Sequence, residues 1–250
     1  MTGNWSFQLY SARNFQPWDK VVRKLAEIGY AQVEGFGGIY ADPAGLSKQL
    51  RSAGLTMPSG HFGIDALEKE LAKSLETATT LGIRTIYCPH IAAPDRPKDR
   101  DGWRRFGERL AAVGKNVTAA GFAFGWHNHD FEFAKLPDGS VPMQAILDAA
   151  PEISWEADIA WIVRGGGDPF DWIERNASRI TAVHVKDIAP AGKNVDEDGW
   201  ADVGDGTLPW AKLMAELRKS GKPKLFVMEH DNPSDFERFA VRSLAAANKY

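Results

Sequence analysis

The sequence predicts an α/β fold, a single closed (β/α)8 barrel spanning residues 1–250. Three observations carry this expectation. Eight short β-rich runs recur along the chain, longer segments with helical spacing of apolar residues separate them, and charged residues gather at the ends of the runs.

In order, the runs begin at 7–10, 31–34, 55–58, 85–88, 122–125, 153–156, 180–184 and 224–228. Parallel strands need crossover connections, and eight repeats favour a closed barrel over an open sheet. Between the first two runs, Val21, Val22, Leu25 and Ile28 fall on one helical stripe, and Gly29 supplies the stop. The same design predicts a helix over 67–81 closing at Gly82, and another over 103–120 closing at Gly121. After the seventh run, 188–208 carries Pro190, Gly192, Gly199, Gly204 and Gly206, too many breakers for a helix. A long loop at that end of a barrel is expected to form a wall or lid over a substrate; the alternative is a mobile surface excursion.

Composition narrows the functional classes. Hydrophobic residues make up 44% and charged residues 25% of the 250 residues, the balance of an ordinary globular chain. A net charge of −3 offers no basic face for a phosphate backbone, so a nucleic-acid partner is not expected. Residues 1–9 lack a basic segment followed by an apolar run, and no stretch reaches the roughly 18–20 apolar residues of a membrane helix. A cytoplasmic protein with no membrane partner is the expectation. The one cysteine, Cys88, lies in an apolar run and reads as a buried packing residue.

The strand ends are where the chemistry concentrates. Glu34, His61, His127, His129, Asp158, His184, Lys186 and Glu229 all fall at or just past the end of a run, positions that converge on one mouth of a barrel. So many ionisable groups in one place would repel or be desolvated unless a cation, a substrate or paired hydrogen bonds compensated them. Carboxylates with an imidazole suit Mn²⁺, Mg²⁺ or Co²⁺, with Zn²⁺ as a further option.

The run Trp126-His127-Asn128-His129-Asp130-Phe131-Glu132-Phe133 resembles the HNHDFEF segment of the xylose-isomerase-like TIM barrel superfamily, in particular its sugar phosphate isomerase/epimerase members. Similar in order are 155–161 with 167–169, Val183-His184-Val185-Lys186-Asp187 and Val227-Met228-Glu229-His230-Asp231, besides the opening 8–11 and Ser59-Gly60-His61. The likeness spans nearly the whole chain. It implies one divalent metal ion, Mn²⁺ first, held by Glu, Asp, His and Glu. Asp158, His184 and Glu229 fill three of these places. Members often set the first glutamate at the strand end, where this chain has His127; Glu132 is the choice for that place and His127 its rival. AP endonucleases of the same superfamily need a histidine where this chain has Trp161, and an Asp-x-His pair that is missing near 196–198.

The resemblance implies a small sugar substrate and a keto-sugar isomerase or epimerase working by proton transfer through an enediolate. Candidate proton-transfer groups are Glu132, Glu229, His127 and His129. Candidate substrate contacts are Glu34, His61 and Lys186, with Trp18, Trp126 and Trp161 as flat faces for sugar C–H. For Lys186 the alternative is an ion pair with Asp187 or Asp158. A lyase or dehydratase on the same metal site is the second functional reading, and a sugar-binding barrel without chemistry the third. No phosphate-binding glycine loop stands out, so an unphosphorylated substrate is expected. Dimers or tetramers are common among such barrels, so a homodimer or homotetramer is the expected assembly.

Overall fold

The computed structural model describes residues 5–250; residues 1–4 of the N-terminal segment read above for a leader lie outside the described residues. Eight parallel strands close into a barrel: β1 (Trp5–Gln8), β2 (Gln32–Gly35), β3 (Thr56–His61), β4 (Thr85–Cys88), β5 (Ala123–His127), β6 (Ser154–Asp158), β7 (Ile180–Val185) and β10 (Leu225–Met228). Two further strands, β8 (Asp187–Ile188) and β9 (Trp200–Ala201), form a separate antiparallel ribbon. Closure runs through β10 and β1, where Phe7 pairs with Met228. Every expected run becomes a barrel strand, with the largest displacement at the first, which starts at Trp5 rather than Phe7.

The barrel strands are almost wholly buried, as parallel strands covered by helices must be. Two of the sheet's pairings are irregular. One shift falls between Gln32 and Glu34, the other between Trp155 and Glu156. Each lies beside a buried glutamate, where a bulge re-aims the side chains that follow it.

Helix ends follow the local chemistry. Helix Trp18–Ile28 stops at Gly29, whose φ of +112° a side chain would resist. Asp99 caps Arg100–Ala119 by accepting from the Gly102 amide at 2.7 Å. The single helix expected over 67–81 is instead two, Ile64–Lys69 and Leu71–Leu81, hinged at Glu70 with non-helical backbone. Glutamate is a good helix former, so packing decides the break: Ile64 and Leu67 are buried in the first piece, Ala78 and Leu81 in the second. No described helix is long and apolar enough to cross a membrane.

The connection after β7 holds no α-helix, as expected, yet it is far from irregular. Asp187, the last residue before its long excursion, is buried and accepts from the amides of Ile188 at 2.9 Å, Gly204 at 3.0 Å and Leu208 at 3.1 Å. Glu197 ties the tip to the C-terminal helix through the Ser234 amide at 2.8 Å and Arg238 at 2.9 Å. These bonds argue against the mobile excursion. Cys88 is fully buried, and burial pushes its thiol up to about 12, in keeping with a packing residue.

Candidate active site

Alternation along a strand sends residues two apart to the same face. On β6 that rule points both Glu156 and Asp158 inward, and past β7 it aligns His184 with Lys186. From the other strands come Gln8, Glu34, His61 and His127, and from just past β10 Glu229 and Asp231. Every one of these except Asp231 is buried.

One ligand atom each from Asp158, His184 and Glu229 lies within 4.8 Å of the others. Asp158 Oδ2 and His184 Nδ1 are buried with no hydrogen-bond partner, and Glu229 Oε2 near them meets Lys186 Nζ at 2.7 Å, so the residues fit a cation: two carboxylates and one imidazole nitrogen grouped at common space. Behind the imidazole, His184 Nε2 meets Glu34 Oε1 at 2.8 Å, an arrangement that fixes the ring with Nδ1 turned toward Asp158. Asn128 braces the opposite side. Its Oδ1 accepts from Trp155 Nε1 at 2.8 Å and the Asp158 amide at 3.0 Å, while Nδ2 donates to the Asp158 carbonyl at 3.1 Å.

Lys186 is fully buried beneath this group, with Nζ 2.7 Å from Glu229 and in contact with Asp231. Its expected ion pair with Asp187 does not form, because Asp187 turns to the loop amides; Asp158 is 4.0 Å away. The ammonium also lies 3.9 Å from the ring centre of Trp200 on the ribbon. Burial works against its charge, but the surrounding carboxylates raise its affinity for the proton above the ordinary lysine value. Burial, with Asp231 adding to it, pushes Glu229 up to about 7.

Glu34 and Glu156 form a deeper layer. Glu34 accepts from Gln8 Nε2 at 2.8 Å and from Ser59. Burial opposes its charge, yet His61 and His184 hold it well below the usual carboxylate value. Burial and Glu34 push Glu156 up to about 7. His61 and His184 resist desolvation because both carboxylates face them, and they are raised to about 10 and about 9. Neither Glu34 nor Lys186 opens on the cavity, which moves both from substrate contact to support.

Above these residues lies a cavity of about 380 Å³, within the roughly 300–1,000 Å³ of small-molecule sites. Tyr10, Phe36 and Trp161 give it flat walls; His61, His90, His127, His129 and His184 ring its floor with Glu229 and Asp231. No lysine or arginine lines it among the described residues. His129 is desolvated and pushed down to about 3, so its imidazole stays neutral.

Four sequence expectations are corrected here. Glu132 does not join Asp158, His184 and Glu229: its oxygens accept from Trp126 Nε1 at 3.0 Å and the His129 amide at 2.9 Å, so it shapes the loop after β5. Trp126 is therefore core, packed edge-on against Phe106 at 5.2 Å, and Trp18 sits behind Phe36 at 6.0 Å rather than in the cavity. The ribbon is a buttress, not a wall: Trp200 supports Trp161 edge-on at 4.7 Å, and no residue of 187–208 lines the cavity. Glu156, Asn128 and Gln8 escaped sequence reasoning. Each left a signal: Glu156 its spacing of two from Asp158, and Asn128 and Gln8 their places in the segments 126–133 and 8–11.

The model of the xylose isomerase-like TIM barrel family matches residues 22–248, and the chain belongs to that family. The rhizopine catabolism protein MocC of Rhizobium meliloti is 21% identical over 245 residues, covering 85% of this chain and 74% of that protein. Among solved structures, a sugar phosphate isomerase/epimerase from Parabacteroides distasonis superposes with a TM-score of 0.83 at 20% identity, over 99% of this chain and 94% of that one. The 3-keto-D-glucoside 4-epimerase YcjR of E. coli does so with a TM-score of 0.72 at 16% identity, over 99% of both chains. These two likenesses are likenesses of fold.

Proposed function

We propose that this chain is a metal-dependent isomerase or epimerase of an unphosphorylated keto-sugar. The observation that carries it is the convergence of Asp158, His184 and Glu229, with Asp158 Oδ2 and His184 Nδ1 unpartnered, at the floor of an aromatic-walled cavity. Those three residues would hold the ion, Mn²⁺ being the best match to two carboxylates and one imidazole. A divalent ion supplies there the positive charge that a carbonyl oxygen needs when the neighbouring C–H is deprotonated.

This chain's residues do the rest. His129 is neutral and lines the cavity beside Trp161, whose ring centre is 5.5 Å away, so it is the first candidate to take or return a proton at a carbon held against that ring. Glu229 is the second, as a carboxylate that lines the cavity beside the ion it would hold. His127 faces Glu156 through Nδ1 at 3.2 Å and is better placed to orient the floor. Trp161 and Phe36 present faces on which the C–H side of a sugar stacks. No described lysine or arginine lines the cavity to receive a phosphate, which favours an unphosphorylated substrate.

The test is a screen of ketoses, keto-inositols and keto-glycosides in D₂O with added Mn²⁺, read by mass. The expected result is deuterium uptake without loss of any group, dependent on metal and lowered at least about 100-fold in Glu229→Gln. Loss of water or an aglycone would instead make the chain a lyase. Absence of both exchange and stoichiometric metal binding would overturn the enzymatic reading.

A further inference from the structure

Directly beneath the Asp158, His184 and Glu229 group, a second set of donors converges. Glu156 Oε2 is approached by His61 Nε2 at 2.6 Å, His127 Nδ1 at 3.2 Å and His184 Nε2 at 3.4 Å. One donor atom from each of the four residues lies within 4.8 Å of all the others. Their burial is nearly complete, from 0% exposure at Glu156 to 8% at His61. Hydrogen bonds satisfy them only in part: His61 Nε2 pairs with Glu156 and His184 Nε2 with Glu34. Glu156 Oε1 is buried without a partner, a penalty of about 1–3 kcal/mol for such a group in a folded protein, and His127 Nδ1 is buried 3.2 Å from Glu156 Oε2 without a well-formed hydrogen bond.

We propose that His61, His127, Glu156 and His184 form a second cation site in this protein, selective for a nitrogen-preferring transition ion of the zinc class. Three imidazoles with one carboxylate make a four-donor set suited to Zn²⁺, whereas the set of two carboxylates and one imidazole above it suits a harder ion. Charge agrees with this assignment. Glu34 and Glu156 are both buried at 0% exposure in one patch, and two such carboxylates require two positive charges close by. In the metal-free protein the His61 and His184 imidazoles, whose proton affinity both carboxylates raise, supply them, and a divalent ion would replace those two protons. Access is direct, because His61, His127 and His184 line the cavity floor.

His184 belongs to both groups through different ring nitrogens, Nε2 facing the inner donors and Nδ1 facing Asp158. A neutral imidazole has a lone pair on one ring nitrogen alone, so filling both sites makes His184 a bridging imidazolate that releases its ring proton to solvent and gives up its Nε2 bond to Glu34. The inner site goes beyond the isomerase reading and needs no sugar turnover, so it stands or falls separately.

The experiment uses the full-length protein, stripped with chelator and dialysed against Zn²⁺, with bound metal counted by mass spectrometry and folding verified by circular dichroism. Wild type is expected to hold two equivalents, and Glu229→Gln and Glu156→Gln one each. His127→Asn is the second inner variant, used where Glu156→Gln does not fold, and is expected to lose the same equivalent. Substitution by Co²⁺ reports geometry without any mutation: the inner site gives the intense visible absorption of a four-coordinate ion, kept in Glu229→Gln and lost in the inner variants. Binding of a single equivalent that disappears in Glu229→Gln but survives in Glu156→Gln or His127→Asn overturns the proposal. So does a wild-type Co²⁺ spectrum with only weak six-coordinate bands.

Discussion

Asn128 and Glu132 show at the scale of single residues how the HNHDFEF segment divides its labour. Asn128 spends both ends of its amide on β6, fixing the backbone on either side of the Asp158 side chain. Asn128→Ala leaves Trp155 Nε1 and the Asp158 amide without their buried acceptor, so stability should fall by about 1–3 kcal/mol. Mn²⁺ affinity should weaken by about 10–100-fold, the usual cost of losing an orienting partner. Urea melts and isothermal titration check the two effects separately. Glu132→Gln should behave differently. Its amide nitrogen would face the donating His129 amide, costing about 1–3 kcal/mol, while Mn²⁺ affinity stays within about twofold because Glu132 is no ligand in this geometry. A large loss of metal affinity in that variant would restore Glu132 to the metal site.

Among elements, the ribbon of β8 and β9 is the one whose role changed most between sequence and structure. Its sequence is rich in glycine and proline, and only the acceptor pattern of Asp187 explains why it is ordered. Asp187→Ala removes one carboxylate from three amides at once. Limited proteolysis within 190–206 should accelerate at least about tenfold in that variant, and stability should fall by about 2–3 kcal/mol. Trp161 depends on the ribbon for its position, since Trp200 is its backing. The helix break at Glu70 is a similar case: helical propensity favoured continuity, and burial on either side of the hinge overrode it.

For the whole molecule, the distribution of buried ionisable groups sets the pH profile of the metal-free protein. Burial lowers His129 to about 3 and His230 to about 4 from an ordinary value of 6.5. The unfolded chain thus binds protons that the fold refuses, and stability is lost as pH falls below about 6.5. Glu197, despite burial, is held near about 2 by Arg238 and Ser234, and that contribution is lost as pH drops below 4.5. Glu132, Glu156 and Glu229 act in the opposite sense. Burial raises them from 4.5 to about 8, 7 and 7, so their contribution disappears as pH climbs through those values. His61 and His184, raised to about 10 and about 9, extend the alkaline loss. With chelator present, denaturation midpoints should therefore peak between about pH 4.5 and 6.5 and decline steadily toward pH 10. Added Mn²⁺ should stabilise more at pH 8 than at pH 5, since carboxylates and imidazole must be deprotonated to bind it.

The sequence by itself determined the barrel and the identity of most polar strand ends. Periods of 2 and 3.6 are local properties, and a closed parallel barrel delivers every strand's C-terminal end to one mouth whatever the details of packing. Thus Asp158, His184 and Glu229 could be placed at one mouth without coordinates. Tertiary structure decided what alternation and register alone leave open: which carboxylates face one another across the barrel, and which loop residues turn inward. Glu156 became visible only when β6 was set against β3, β5 and β7, because its partners His61, His127 and His184 come from three other strands. Glu132 was misassigned for the same reason. A residue five positions past a strand end can reach the mouth or fold back on its own loop, and here the free indole N–H of Trp126 and the His129 amide drew it back.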